Sequence, residues 1–453
     1  MTRCFLLERR QFVSVKAVTG KIGNVFYGWW VVAAGSFLYA LGIGSVFYGF
    51  NTFFTPMVNE FGWSRAATSG AFSLSRLEGG VFGPIVGWLI DRLGSRKIAI
   101  FGMVLAAVGF VALPLVNTNV ITLYIIFGLV LSLGYTMGPA LATTAAAAKW
   151  FIKKRSLALS FIAVGGGVGG AVIVPLLAWL ITQYGWRWAA VIIGLGILVT
   201  GVPVALVIRN TPEEKGLLPD GQKAVSIEEA ASTGIDRARS DKLAVSTASG
   251  LEEPDFTVKE ALKTSNFWFY TLAMLLRAAI LGGIVVHEIP YLVDMGIEYE
   301  AAADVLGTMI LISIPGRLIL GWIGDRIDKR YLLLASNLLQ GIGIWILINA
   351  SSLGMVYLFV IIYGFGYGGA IPLSSALRAD LFGRKIFATI GGIVTTITTI
   401  STVAAPVLAG YLYDVSHSYH VAFYAFMIMI SLSGFAFLLV RRPKLKPVTI
   451  AAR

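Results

Sequence analysis

Six ionisable residues stand inside stretches that otherwise carry none. Arg76 and Glu78 interrupt SGAFSLSRLEGGVFG, Arg277 interrupts LAMLLRAAILG, Arg317 interrupts ISIPGRLILG, and His287 with Glu288 interrupts IVVHEIPYLV. A charge at the centre of an apolar segment in lipid costs at least about 2.5–3.5 kcal/mol, so each of these needs a purpose. A guanidinium is suited to bidentate recognition of a carboxylate; near the midplane, leaving out His287 and Glu288 at the outer end of their segment, three arginines against Glu78 leave an excess of two positive charges for an anionic ligand to offset. Arg317 is the best anchor, set against the alternative that it snorkels from two turns inside a segment end. Ser313, one turn away on the same helical face, offers a hydroxyl to the same ligand. Arg277 is either a second ligand contact or one half of a structural pair. Arg76 and Glu78 are two residues apart and point to different sides of a helix, so they do not pair with each other. Glu78 is either a proton-titrating group or the partner of an arginine on another helix. His287, beside Glu288, is either a proton carrier near neutral pH or a polar residue at a water interface.

The elements that position these groups are membrane spans. Of 453 residues 57% are apolar and 13% charged, about half the charged share of a soluble domain, so lipid must be the solvent for much of the chain. A span needs about 20 apolar residues. Twelve such stretches are expected at 27–54, 65–90, 97–116, 121–148, 156–182, 188–208, 265–292, 301–323, 331–350, 354–378, 386–411 and 420–440. The fold class is therefore all-α integral membrane, and the 51 glycines fit helices that pack closely through small residues.

Basic residues orient the spans. Arg65 and Arg187 are the only Lys or Arg in loops on one side, Arg76, Arg277 and Arg317 lie within spans, and the other 31 of the 36 lie on the opposite side. By the positive-inside rule both termini are expected in the cytoplasm of a multi-pass protein of the cell inner (plasma) membrane. The segments are then a basic cytoplasmic tail at 1–25, a six-helix bundle at 26–208, a cytoplasmic linker at 209–263, a second six-helix bundle at 264–440 and a cytoplasmic tail at 441–453. The first tail has no apolar run long enough for a signal peptide. The linker is polar, with Pro212, Pro219 and Pro254, and short helices are expected near Ser226–Ala231 and Thr257–Lys263.

The two halves repeat one another. GWLIDRLGSRK (87–97) returns as GWIGDRIDKR (321–330) at an offset of 234, which also relates Pro56 to Pro290, Gly62 to Gly296 and Asp91 to Asp325. Phe151 and Phe382, Lys154 and Lys385, and Pro175 and Pro406 match at 231. Paired six-span halves are a transporter signature, with the binding site between them near the midplane. Asp and Arg of the repeated loop can pair across helix ends and cap them, which suits a gate.

These residues resemble the major facilitator superfamily. Its G-x-x-x-D-R-x-G-x-R pattern stands as Gly87, Asp91, Arg92, Gly94 and Arg96, and a second copy stands as Gly321, Asp325, Arg326 and Arg330, with Asp328 in the place of the second glycine. Within the superfamily the chain is similar to the monocarboxylate porter and oxalate/formate antiporter group. The features that carry this are YGWW opening span one, KWFIKKRSLAL before span five, H-x-x-P-Y-L-x-D-x-G at His287–Gly296 and PGR-x-x-x-G-W-x-x-D at Pro315–Asp325. The resemblance implies that Arg317 binds a substrate carboxylate, and that Tyr39, Tyr135 and Tyr367 line the central cavity. Two departures limit it. Span eleven reads TIGGIVTTITTIST, without the lysine of oxalate carriers, and Ser313 stands where animal monocarboxylate carriers have Asp.

Other function classes fit less well. The net charge of +12 lies in short loops rather than in a phosphate-tracking stripe, so no nucleic-acid partner is expected. Cys4 is the only cysteine and there are three histidines, so neither a disulfide nor a metal site is expected. GGGVGG (165–170) lacks the preceding strand and following Lys-Ser/Thr of a phosphate loop, so no nucleotide is expected either. The expectation is a monomeric secondary transporter, not an enzyme, without cofactors, for a small organic anion and most of all a monocarboxylate. A proton or a counter-anion would drive it. A drug or aromatic-compound exporter of the same fold is the alternative, and a membrane sensor or integral membrane enzyme the alternative of another class.

Overall fold

A computed structural model describes residues 25–221 and 256–441. The first tail up to residue 24 with Cys4, the middle of the linker with the helix expected at Ser226–Ala231, and the second tail from residue 442 lie outside the described residues.

Every regular element among the described residues is helical. The long helices are α1 (Tyr27–Phe61), α2 (Arg65–Leu93), α3 (Ser95–Leu115), α4 (Val120–Trp150), α5 (155–184), α6 (186–207), α7 (Ser265–Asp294), α8 (Tyr299–Gly324), α9 (Lys329–Ile348), α10 (Leu353–Phe382), α11 (Phe387–Ser416) and α12 (His420–Leu439). Helix α5 runs into α6 through Gly185, whose φ of 76° and ψ of 158° turn the chain back at a point where a side chain would be strained. Side-chain caps start several helices: Ser64 accepts from the Ala67 amide, Thr264 from Phe267 and Ser352 from Met355. A short helix, Val258–Leu262, leads into α7 behind a reciprocal Thr257–Glu260 cap, within the linker stretch where a helix is expected.

The internal repeat is visible in the backbone. Pro56 lies inside α1 and Pro290 inside α7, and both helices are followed by a left-handed glycine, Gly62 (φ 64°) and Gly296 (φ 83°). One apolar core, including Leu38, Phe53, Phe110, Phe127 and Trp150, fills the first six helices and takes in Ala376, Ala379, Phe387 and Ala388 from the second six. Two further cores, around Phe359 and Phe423 and around Tyr270 and Phe437, fill the second half.

Glycines set how closely helices approach, since lipid supplies no hydrophobic drive between them. A methyl at Gly165 would collide with the Ser36 carbonyl, and one at Gly169 with the Ala40 carbonyl, so GGGVGG is the surface on which α5 lies against α1.

Most of the described loop cations share one face of the molecule, called here the basic face, where Lys149, Arg155, Lys329 and Arg384 meet carboxylates. On the opposite face Arg187 pairs with Glu60 at 2.6 Å, and the Trp186 indole donates to the same carboxylate.

Candidate functional site

Arg317 sits on α8 two turns before its end, 6% exposed, and reaches across to the first half, where its Nη1 donates to the Ala163 carbonyl of α5. Gly167, one turn along α5, leaves room beside it: a methyl there would lie 3.6 Å from the guanidinium. Its Nε has no hydrogen-bond partner among the described residues. Arg277, 8% exposed on α7, donates to the Tyr367 carbonyl of α10 at 3.4 Å, and its Nε is likewise unpartnered. Neither guanidinium has a carboxylate partner among the described residues, so each is a buried cation held by carbonyl dipoles. The Arg76 guanidinium of α2 lies 4.3 Å from the centre of the Phe47 ring of α1, a cation–π contact.

Tyrosines surround these cations. Tyr39 of α1, Tyr48 and Tyr367 lie within electrostatic reach of one another, and Tyr135 of α4 lies within reach of Tyr39 and Tyr48. Arg317 is in reach of Tyr39 and Tyr48, Arg76 of Tyr48, Tyr135 and Tyr367, and Arg277 of Tyr363 and Tyr367. Tyr363 and Tyr367 are parallel, 6.2 Å apart. The structure thus brings Tyr39, Tyr135 and Tyr367 together with the three arginines between the halves. Tyr48 and Tyr363 join them and were not singled out by sequence reasoning. A hydroxyl-bearing aromatic in a span is a weak signal, and only packing separates such residues from ordinary filling ones. Around Tyr48 and Tyr135 the helices widen into π-type turns, over Ile43–Tyr48, Tyr124–Leu131 and Thr136–Ala142, a distortion frequent at functional sites.

Three expected residues stand differently. Ser313 is fully buried, its hydroxyl donates to the Ile310 carbonyl at 2.6 Å, and its own carbonyl is pressed against Gly368 of α10. Its proton is therefore committed within α8. Among the described residues Glu78 has no arginine partner on another helix. Instead Oε2 accepts from Ser132 at 2.6 Å and Thr136 at 3.3 Å, both on α4, because α2 turns that face into its own half. His287 is clamped inside the second half: a carbonyl can only accept, so Nε2 donates to Pro406 at 2.9 Å, and Nδ1 lies 3.3 Å from the Tyr419 hydroxyl.

The repeated loop motif forms a crossed pair of helix caps on the basic face. Asp91, at the end of α2, accepts from the Thr389 amide and hydroxyl at 2.8 Å each and from the Ala388 amide at 3.4 Å, at the start of α11. Asp325, at the end of α8, accepts from the Ser156 and Leu157 amides at 2.7 and 3.1 Å, at the start of α5. Each half thus supplies a carboxylate to the positive end of a helix in the other. Gly87 and Gly321, one turn earlier, permit the approach: a methyl would strike Ala388 in one case and Ser160 in the other.

The motif arginines do other work. Arg92 and Arg326 lie over the rings of Trp88 and Trp322 on their own helices. The Arg96 amide donates to Asn210, beside Gly94 with its φ of 95°. Arg330 holds Asp328, which caps α9 with ordinary backbone angles, so the glycine of the first copy is not needed there. The ion partner of Asp91 is Lys149 at 3.5 Å, not an arginine. Arg155 and Lys329 converge on Asp380 at 2.8 and 2.6 Å, and Arg384 pairs with Glu213 at 2.9 Å. With these contacts the halves are closed against each other at the basic face.

Comparison with known proteins agrees with this architecture. The sequence profile described as Major Facilitator Superfamily matches residues 32–331 and 289–453. Monocarboxylate transporter 12-B of Danio rerio is 26% identical over 420 residues, covering 90% of this chain and 85% of the relative. Monocarboxylate transporter 13 of Rattus norvegicus is 27% identical over 402 residues, covering 88% and 85%. Among solved structures, the human organic anion transporter MFSD10 (TETRAN) superposes with a TM-score of 0.65 at 16% identity, covering 90% of this chain and 98% of that one. These matched proteins are named as transporters, not enzymes.

Proposed function

This chain belongs to the Major Facilitator Superfamily, and from that premise we propose that it is a secondary active transporter of a small organic anion, a monocarboxylate, worked by proton symport or anion exchange. The observation that carries the reading is the pair of buried guanidiniums, Arg277 and Arg317, with no carboxylate partner among the described residues. A carboxylate arriving between the halves offsets this charge and supplies the acceptors that carbonyls alone do not. Arg317 anchors it, Tyr39, Tyr135 and Tyr367 donate hydroxyls or pack its apolar part, and Arg277 attracts it from the second half. Relatives named as monocarboxylate transporters support the substrate class.

The loop charges support placing the basic face in the cytoplasm. The state described is then shut towards the cytoplasm, and transport requires Asp91 and Asp325 to release the helices they cap.

The test is uptake of labelled lactate, pyruvate, formate and oxalate into proteoliposomes, with and without an imposed pH gradient, together with counterflow. Uptake of a monocarboxylate, lost on Arg317→Ala, is the expected result. No transport of any of the four, or uptake unaffected by Arg317→Ala, overturns the reading.

A further inference from the structure

Glu288 occupies a position unlike that of any other acid discussed above. It lies on α7, about two turns from the end on the opposite face, and is 0% exposed. Neither carboxyl oxygen has a hydrogen-bond partner among the described residues. Glu78, by contrast, is held through one oxygen, Oε2, by two hydroxyls while Oε1 has no partner among the described residues, and both ring nitrogens of His287 are engaged.

An ionised carboxylate taken out of water without partners costs several kcal/mol, and the usual outcome is that the group takes up a proton. Among the described residues the surroundings supply no counter-charge in contact. From α10, Tyr363 is the ionisable group in electrostatic reach. On its own helix Arg277 lies on the same face, 11 residues and so about 16 Å away, and His287 is turned to α11 and α12. From α12, Tyr419 bonds His287 and His420 bonds Tyr291; from α11, Tyr413 stacks on Tyr419. On α8, Arg317 is committed to α5. None of these donates to Glu288.

We propose that Glu288 is the coupled proton site of the transport cycle, carried here as a neutral carboxylic acid. The proposal rests on the transporter reading above and decides between its two drives in favour of the proton. The step is a proton transfer alone. An O–H bond forms at Glu288 from hydronium on the side from which the site is open, and breaks to water after the halves rock. The stack of Tyr363 on Tyr367, whose carbonyl holds Arg277, connects the site to the anion-binding arginines. With the carboxyl neutral, Arg277 keeps its full attraction for an anion. Loss of the proton places a negative charge on that same helical face and favours anion release.

Two measurements on the intact chain test this separately from the substrate assignment. The first needs no transport: infrared difference spectra of the wild type at neutral pH should contain the C=O band of a protonated carboxylic acid. Glu288→Gln should remove that band and Glu78→Gln should retain it. A spectrum unchanged by Glu288→Gln overturns the proposal whatever the substrate proves to be. The second uses lactate in proteoliposomes carrying a trapped pH dye. Glu288→Gln should keep lactate counterflow within about threefold of wild type but lose lactate-driven proton entry and accumulation against a gradient. Retained proton entry in Glu288→Gln, or wild-type lactate entry down its gradient without any proton entry, also overturns it. Absence of wild-type counterflow would instead remove the monocarboxylate reading and leave the infrared result to decide on Glu288.

Discussion

Asp91→Ala is the sharpest perturbation of the basic-face closure. It removes two charge-assisted hydrogen bonds of 2.8 Å to Thr389 and a weak one of 3.4 Å to Ala388, all across the halves. Hydrogen bonds to a charged group contribute about 1.5–3 kcal/mol each net of water, so the two good ones favour the closed state by about 3–6 kcal/mol. The ion pair with Lys149 joins residues of the same half, so it does not itself hold the halves together. Its loss does leave Lys149 buried without a counter-ion, which penalises the closed state further. Even the lower bound shifts the population about 150-fold, since each 1.4 kcal/mol is a factor of ten. The assay is maleimide labelling of a cysteine at Ala376, a fully buried residue of α10 packed into the first half's core, in a chain whose only native cysteine, Cys4, is replaced by serine. Labelling from the basic face should accelerate at least about tenfold in Asp91→Ala, and Asp325→Ala should do the same through α5. A rate within twofold of the parent, in protein that remains monodisperse, would refute the assignment of the crossed caps as the closure.

Arg317→Lys should cut monocarboxylate counterflow about tenfold or more, because an ammonium cannot reproduce the fork that binds a carboxylate, and counterflow in proteoliposomes reads this directly. Gly169→Val should lower the unfolding temperature measured by thermal shift, since overpacking a helix contact of this kind costs about 1–3 kcal/mol. Ser132→Ala should leave Glu78 with Thr136 alone and destabilise the first half by about 1–3 kcal/mol, seen in the same assay, while Arg317-dependent transport is retained.

The helical ladder was legible because lipid imposes it: every backbone group must be satisfied within a segment, and the apolar runs therefore declare the spans. The turn after each expected span coincides with a structural break, including Gly185 between the fifth and sixth. The repeat was equally plain, and Gly62 with Gly296 repeats it in backbone angles. The three arginines were legible as charges that lipid would not tolerate. Their company was not. Helical period tells which residues share a face, but not which neighbour that face meets, so Glu78 was open to an arginine and found two hydroxyls. The same gap hid the clamp on His287 and the commitment of the Ser313 hydroxyl within α8. In the loop motif the carboxylates and not the arginines cross between halves, because helix ends expose unpaired amides that a short acid can reach.

The crossed caps also bear on how the chain is made. The amides that open α5 wait for Asp325, 169 residues further along, and those that open α11 are met by Asp91, 298 residues earlier. During synthesis the first half enters the bilayer with the start of α5 uncapped until α8 has emerged. When α11 appears, by contrast, its acceptor is already in place. Assembly is therefore asymmetric in time although the product is nearly symmetric in space. A first half expressed alone should keep its fold yet fray at Ser156 and Leu157, the two residues that depend on a segment not yet translated.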